Sequence, residues 1–162
     1  MIDETHTQPD QESRLLAALA HGSAIAQGIG LVVGLTIYLT QREKSRYAAS
    51  QALQAAVYQL VSLVLVMGSW FVWGVCYGLS FIPMMVAPAN ADQPPALFFV
   101  GLGSMAIPFA LMIVLGLYAL WGALRTWQGR DFRYIVIGNW LEKSNLLDGH
   151  KPSPAPDEPP PA

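Results

Sequence analysis

The stretch Leu15–Thr40, LLAALAHGSAIAQGIGLVVGLTIYLT, contains no Lys, Arg, Asp or Glu. Charge is absent again from Tyr47 to Ala91 and from Gln93 to Leu124. A charged residue at mid-bilayer costs roughly 2.5–3.5 kcal/mol on insertion scales, so segments that live in lipid exclude it. Helices of soluble proteins carry charge on their outer face every turn or two. These runs do not. They predict an all-α integral membrane helical bundle within a chain of 162 residues.

Composition points the same way. Hydrophobic residues make up 53% of the chain and charged residues 12%, against a soluble average of roughly 25% charged. The net charge of −2 leaves no basic footprint for nucleic acid. The single cysteine, Cys76, lies in an apolar run, which excludes a disulfide framework and a cysteine-based metal site. Residues 1–12 form an acidic, polar amino terminus unlike the basic start of a signal peptide, and no cleavage is expected. Residues 13–147 read as the membrane helical domain, and residues 148–162 as a disordered Pro-rich tail that could recruit a proline-recognising partner.

The first run is long enough to cross a core of roughly 30 Å, yet Gly28, Gly30 and Gly34 weaken its middle as a helix. Two readings follow. One is a single tilted, kinked span, which gives three spans in all; the other is a re-entrant pair folded about residues 27–30, which gives four membrane segments. The single span is the preferred reading. The second span starts as an amphipathic entry at Arg46 and ends near Phe81. Pro83, Pro88, Pro94 and Pro95 then predict a non-helical loop. The third span covers residues 96–124, with Pro108 kinking it. Phe132, Val136 and Trp140 recur every fourth residue, which predicts a carboxy-terminal helix over 131–147 lying in the interface, with Trp127, Tyr134 and Trp140 at headgroup depth.

Arg42, Lys44 and Arg46 occupy the first loop, whereas the Pro-rich loop has no cation. The positive-inside rule therefore places loop 41–46 and the carboxy terminus in the cytoplasm, with the protein multi-pass in a bacterial cytoplasmic membrane. A single first span puts the amino terminus outside, and a re-entrant pair puts it inside.

Candidate functional residues are few. Tyr47, Gln51, Gln54 and Tyr58 follow i, i+4, i+7, i+11 spacing and share one helical face, extended by Ser62 and Ser69. Such a face either lines a hydrated path or makes interhelical hydrogen bonds. His21 is the ionisable side chain within the first run; it either marks a proton path or bonds a neighbouring helix. Gly30–Gly34 and Gly74–Gly78 are G-x-x-x-G pairs that permit close helix packing. No phosphate loop, nucleophile elbow, metal-ligand spacing or dinucleotide fingerprint is present, so no catalytic residue, metal or cofactor is expected.

Several short strings occur in a familiar order. LAALAH (Leu16–His21), QREKS (Gln41–Ser45), QAL (Gln51–Leu53) and GRDFRY (Gly129–Tyr134) together resemble the bacterial family of unknown function related to the chloroplast inner-envelope import component, the Tic-twenty-like membrane proteins. Arg46, Gln54–Ala55–Ala56 and Phe132 depart from that family's usual residues. The resemblance implies an all-helical membrane protein of three or four spans, linked by analogy to protein translocation. Residues and resemblance together predict a non-enzymatic accessory or structural subunit of a larger membrane assembly. The alternative is a channel or translocation component of Tic-twenty-like type. Its expected partners are the lipid bilayer and other membrane subunits or further copies of itself, with no nucleic acid.

Overall fold

A computed structural model describes residues 9–26, 28–86 and 96–134, and every regular element among them is helical. Helix α1 (Gln11–Gly22) begins at Asp10, whose carboxylate accepts the Ser13 N–H at 3.4 Å as an N-cap. A 3₁₀ turn (Ser23–Ala26) follows, and α2 (Gly28–Gln41) then runs back. Ser45 caps α3 (Arg46–Leu79), accepting the Ala48 N–H at 3.2 Å. The short α4 (Ile82–Val86), α5 (Ala96–Gly103) and α6 (Ala106–Trp127) complete the order.

Side-chain pairings fix the path. Ser13 Oγ donates to Ser45 Oγ at 2.7 Å, His21 meets Gln51, and Ser23 meets Gln59, so α1 climbs parallel to the start of α3. On the way down, Gly34 packs on Ala56, and Ile37 shares a cluster with Ala20, Ala52 and Ala55. The α1–α2 unit is therefore a hairpin whose two open ends lie together. The preferred single first span is corrected here: the chain doubles back instead of continuing. The cause is at the tip. A Cβ on Gly30 would collide with the Ser23 carbonyl and stand 2.7 Å from Gln59 Oε1, so only glycine permits this closeness. Helices of 12 and 14 residues measure about 18 and 21 Å at 1.5 Å per residue, too short to cross a core of about 30 Å singly.

Two helices are long and apolar enough to cross: Arg46–Leu79, and Ala96–Trp127 taken through its break. Their most apolar windows are almost wholly uncovered by protein. Leu60, Val64, Phe71, Val72, Ile113, Val114 and Leu117 are among the exposed residues of this belt. The break in the second falls at Ser104–Met105. Pro108 cannot donate to the Ser104 carbonyl, and α6 restarts with Pro108 in its first turn, where the missing N–H costs little. Pro83 likewise lies inside α4 and not in a loop, again near a helix start.

Above the hairpin, α3 pairs with α5 and α6 through aromatic edges. Trp70 meets Phe109 edge-on at 5.1 Å, and Trp73 donates its indole N–H to the Gly101 carbonyl at 3.2 Å. A Cβ on Gly101 would stand 3.0 Å from both Tyr77 Cδ2 and Ser80 Oγ, so the glycine sets the α3–α5 approach. Gly74 and Gly78 meet nothing within 4 Å.

The carboxy-terminal expectation fails at its start. Asp131–Tyr134 is not helical, and Phe132 and Tyr134 are buried. Gly129 adopts φ +74°, its N–H bonds the Thr126 carbonyl, and the Arg130 N–H bonds the Arg125 carbonyl. This is a Schellman ending, which turns the chain off the α6 axis and back onto the bundle. Residues 135–147, including Trp140, lie outside the described residues, as do residues 148–162.

Two outcomes follow for the hairpin. In a Cys76→Ser background, Asp10→Cys and Lys44→Cys are expected to react with an impermeant thiol reagent from the same side of sealed vesicles; labelling from opposite sides rejects the hairpin. Gly30→Ala is expected to cost about 3 kcal/mol through overpacking. Gly74→Ala, with open space around it, is expected to leave the melting temperature unchanged or raise it.

Candidate functional site

The polar residues of α3 converge on α1, α6 and the closing segment. At their centre is His21, whose surface is wholly inaccessible. Its Nδ1 lies 2.9 Å from the Tyr134 hydroxyl, and its Nε2 lies 3.1 Å from Gln51 Oε1. A carbonyl oxygen only accepts, so Nε2 carries the proton and donates to Gln51. Nδ1 then accepts from the Tyr134 O–H. Both ring nitrogens are thus satisfied in a neutral imidazole.

Aromatic rings enclose this pair. Phe132 meets His21 edge-on at 5.5 Å, and Tyr134 stacks on Tyr58 at 4.1 Å with planes 5° apart. Tyr118 closes the cluster edge-on against Tyr58, Phe132 and Tyr134. The floor is Gly122, where a Cβ would come within 2.8 Å of Phe132 and 3.3 Å of His21 Nδ1. Burial raises the Tyr134 phenol above its ordinary pKa, with Tyr58 and Tyr118 adding to the rise, so Tyr134 remains a proton donor.

Each member of the sequence-defined polar face has a place. The Tyr47 hydroxyl donates toward the Arg130 and Thr126 carbonyls at 3.2 and 3.4 Å, holding the closing turn. Gln51 takes His21, and the Tyr58 hydroxyl donates to the Leu115 carbonyl at 2.8 Å. Gln54 is buried, and its Oε1 has no partner among the described residues. Gln59 was not among the candidates, yet it holds the hairpin tip: its Nε2 donates to the Ala20 carbonyl at 3.1 Å and to Ser23 Oγ at 3.3 Å. Its heptad-like position beside Tyr58 and Ser62 was the available signal. Tyr134 and Phe132 were also missed as partners of His21. The signal for them was Gly129 just after the last periodic residue, a helix stop that redirects the chain.

Chemically, the arrangement locks helices together. His21 is closed to solvent, and among the described residues no three of His, Cys, Asp and Glu could hold a metal ion. Gly30 and Gly34 sit at the α2–α3 contact, whereas Gly74 and Gly78 take no part in the site. Tyr134→Phe keeps the stack on Tyr58 but leaves His21 Nδ1 unpaired. A loss of about 1–3 kcal/mol is expected, the cost of an unsatisfied buried acceptor. It is read as a lower melting temperature in detergent; an unshifted transition shows the bond to be dispensable.

Against known proteins, residues 12–141 match the MamF/MmsF family, described as the magnetosome magnetite crystal formation protein family. No curated protein and no solved structure matches the chain. The match corrects the Tic-twenty-like resemblance: the short strings LAALAH, QREKS, QAL and GRDFRY all fall within the matched residues, which the MamF/MmsF pattern accounts for as a whole. With it falls the implied link to protein translocation. The chain belongs to the MamF/MmsF family of magnetosome magnetite crystal formation proteins.

Proposed function

We propose that this chain is a non-enzymatic integral protein of the magnetosome membrane that serves magnetite crystal formation as an accessory or structural subunit of a larger assembly. The observation that carries the reading is family membership over residues 12–141. The belt of exposed Leu, Val, Ile and Phe on α3 and α6 supports the membrane placement, because monomeric soluble proteins rarely expose apolar patches above a few hundred Å². On this reading α3 and the α5–α6 pair cross the bilayer, and α1–α2 enters and leaves on one side. The cationic loop 41–46 supports the reading of that side as cytoplasmic, and on this reading the start of α1 is cytoplasmic too.

A non-catalytic role is supported by how the polar side chains are spent. His21, Gln51, Tyr47, Tyr58 and Gln59 bond to other parts of the same chain, and the site around His21 has no opening to a solute. Acting on a crystal then falls to surfaces and to companions in the membrane.

The test is genetic and structural together. Deleting the gene in a magnetite-forming host is expected to change crystal size or shape by electron microscopy while vesicles persist. A tagged wild-type copy is expected to restore the crystals and to bring companion membrane proteins with it in mild detergent. Unchanged crystals reject the role in crystal formation; full rescue by a copy that purifies alone rejects the subunit role.

A further inference from the structure

The hairpin has an electrostatic result that the sequence alone does not give. By returning the chain, it brings the start of α1 to the end of the bundle that holds loop 42–46 and the α6 terminus. Ser13 touches Ser45, a Cβ on Gly129 would lie 2.9 Å from Arg14 Cδ, and the Tyr47 hydroxyl reaches the Arg130 carbonyl. Arg14, Arg42, Lys44, Arg46, Arg125 and Arg130 therefore share one end, alongside the acids Asp10, Glu12, Glu43 and Asp131. Six cations against four acids leave a surplus of two among the described residues placed there. From Tyr47 to Leu124, which includes the whole opposite end, the sequence holds no cation.

This surplus lies directly below the apolar belt. Trp121 and Trp127 are about half exposed on α6, with Leu124 between them equally uncovered. The Arg125 guanidinium stands 5.1 Å over the Trp121 ring, so the ring holds the cation against the outer face of α6, at the depth where tryptophans meet lipid headgroups. The Arg42–Glu43 ion pair at this end, 3.7 Å long, joins two well-exposed side chains and is weak. Clusters of four to eight Lys/Arg immediately beside a membrane helix attract anionic leaflets, each worth about a factor of five in affinity, the equivalent of roughly 1 kcal/mol.

We propose that this end of the bundle is a binding surface for anionic phospholipid headgroups, with Arg125 on Trp121 as its anchoring contact and Arg42 and Lys44 as its outer charges. The ligand chemistry is a phosphodiester carried by a lipid, and the surface sorts the protein toward an anionic leaflet. The inference rests on the membrane placement proposed above.

The full chain, purified in mild detergent, is exposed to an equimolar mixture of phosphatidylglycerol and phosphatidylcholine, and retained lipid is measured by native mass spectrometry. Phosphatidylglycerol is expected to be retained several-fold over phosphatidylcholine. Arg125→Gln is expected to reduce that ratio about fivefold, and Arg42→Gln with Lys44→Gln to reduce it further, with melting temperature unchanged because these side chains lie outside the core. Equal retention of the two lipids overturns the inference. So does complete displacement of phosphatidylglycerol by millimolar inorganic phosphate, which identifies a site for free anion instead. Parallel reconstitution into pure phosphatidylcholine vesicles tests the membrane placement separately: insertion there together with equal retention of the two lipids in the mixture rejects the headgroup surface alone, and failure to insert in any vesicle rejects the placement.

Discussion

A helix that ends inside apolar surroundings leaves carbonyl groups without hydrogen bonds, and the rest of the chain must supply them. The first helical run of this protein ends at Gly22, far from either end of α3, and everything nearby is arranged around that fact. Gln59 bonds the Ala20 carbonyl, the Ser23 hydroxyl bonds back to the same carbonyl at 2.8 Å, and Gly30 lets the returning strand of chain lie against Ser23. The amides and phenols on α3 are thus best understood as internal solvent for a broken helix. Remove Gln59, and the tip loses the side-chain amide donor to the Ala20 carbonyl.

The same logic explains the lower half of the bundle. Ala17, Ala20, Ala48, Ala52, Ala55 and Ala119 are almost completely covered, so the helices meet through methyl groups at short range. Small residues bring backbones close, and close backbones allow side-chain bonds such as His21–Gln51 to span the gap. Above Gln59 the character changes to large rings, with Trp70, Trp73, Tyr77, Phe81 and Phe98 linking α3 to α5 and α6. One end is small, polar and tied; the other is bulky and apolar.

Much of this was legible. The absence of charge marked the two long helices, because exclusion of charge depends on composition and not on partners. The shared face of Tyr47, Gln51, Gln54 and Tyr58 follows from spacing alone. The direction of the chain after Gly22 did not, since glycines at 28, 30 and 34 serve equally well in a kinked span and in a turn. What decides between them is Gln59, whose role depends on a neighbour 36 residues away. The start of the closing segment was misread because Phe132, Val136 and Trp140 have helical spacing, while the left-handed Gly129 that turns residues 131–134 off the helix is a single residue. Family membership was obscured because the resemblance rested on four short strings, whereas the family match spans residues 12–141.

The bond between His21 and Tyr134 joins positions 113 residues apart. A ribosome adding about 5–20 residues per second separates their appearance by roughly 6–23 s. During that interval His21 can reach Gln51 but lacks both the aromatic lid and the phenol that satisfies Nδ1. The last described residue thus completes a site begun by the first helix, and a chain cut before Tyr134 lacks the phenol that satisfies His21 Nδ1.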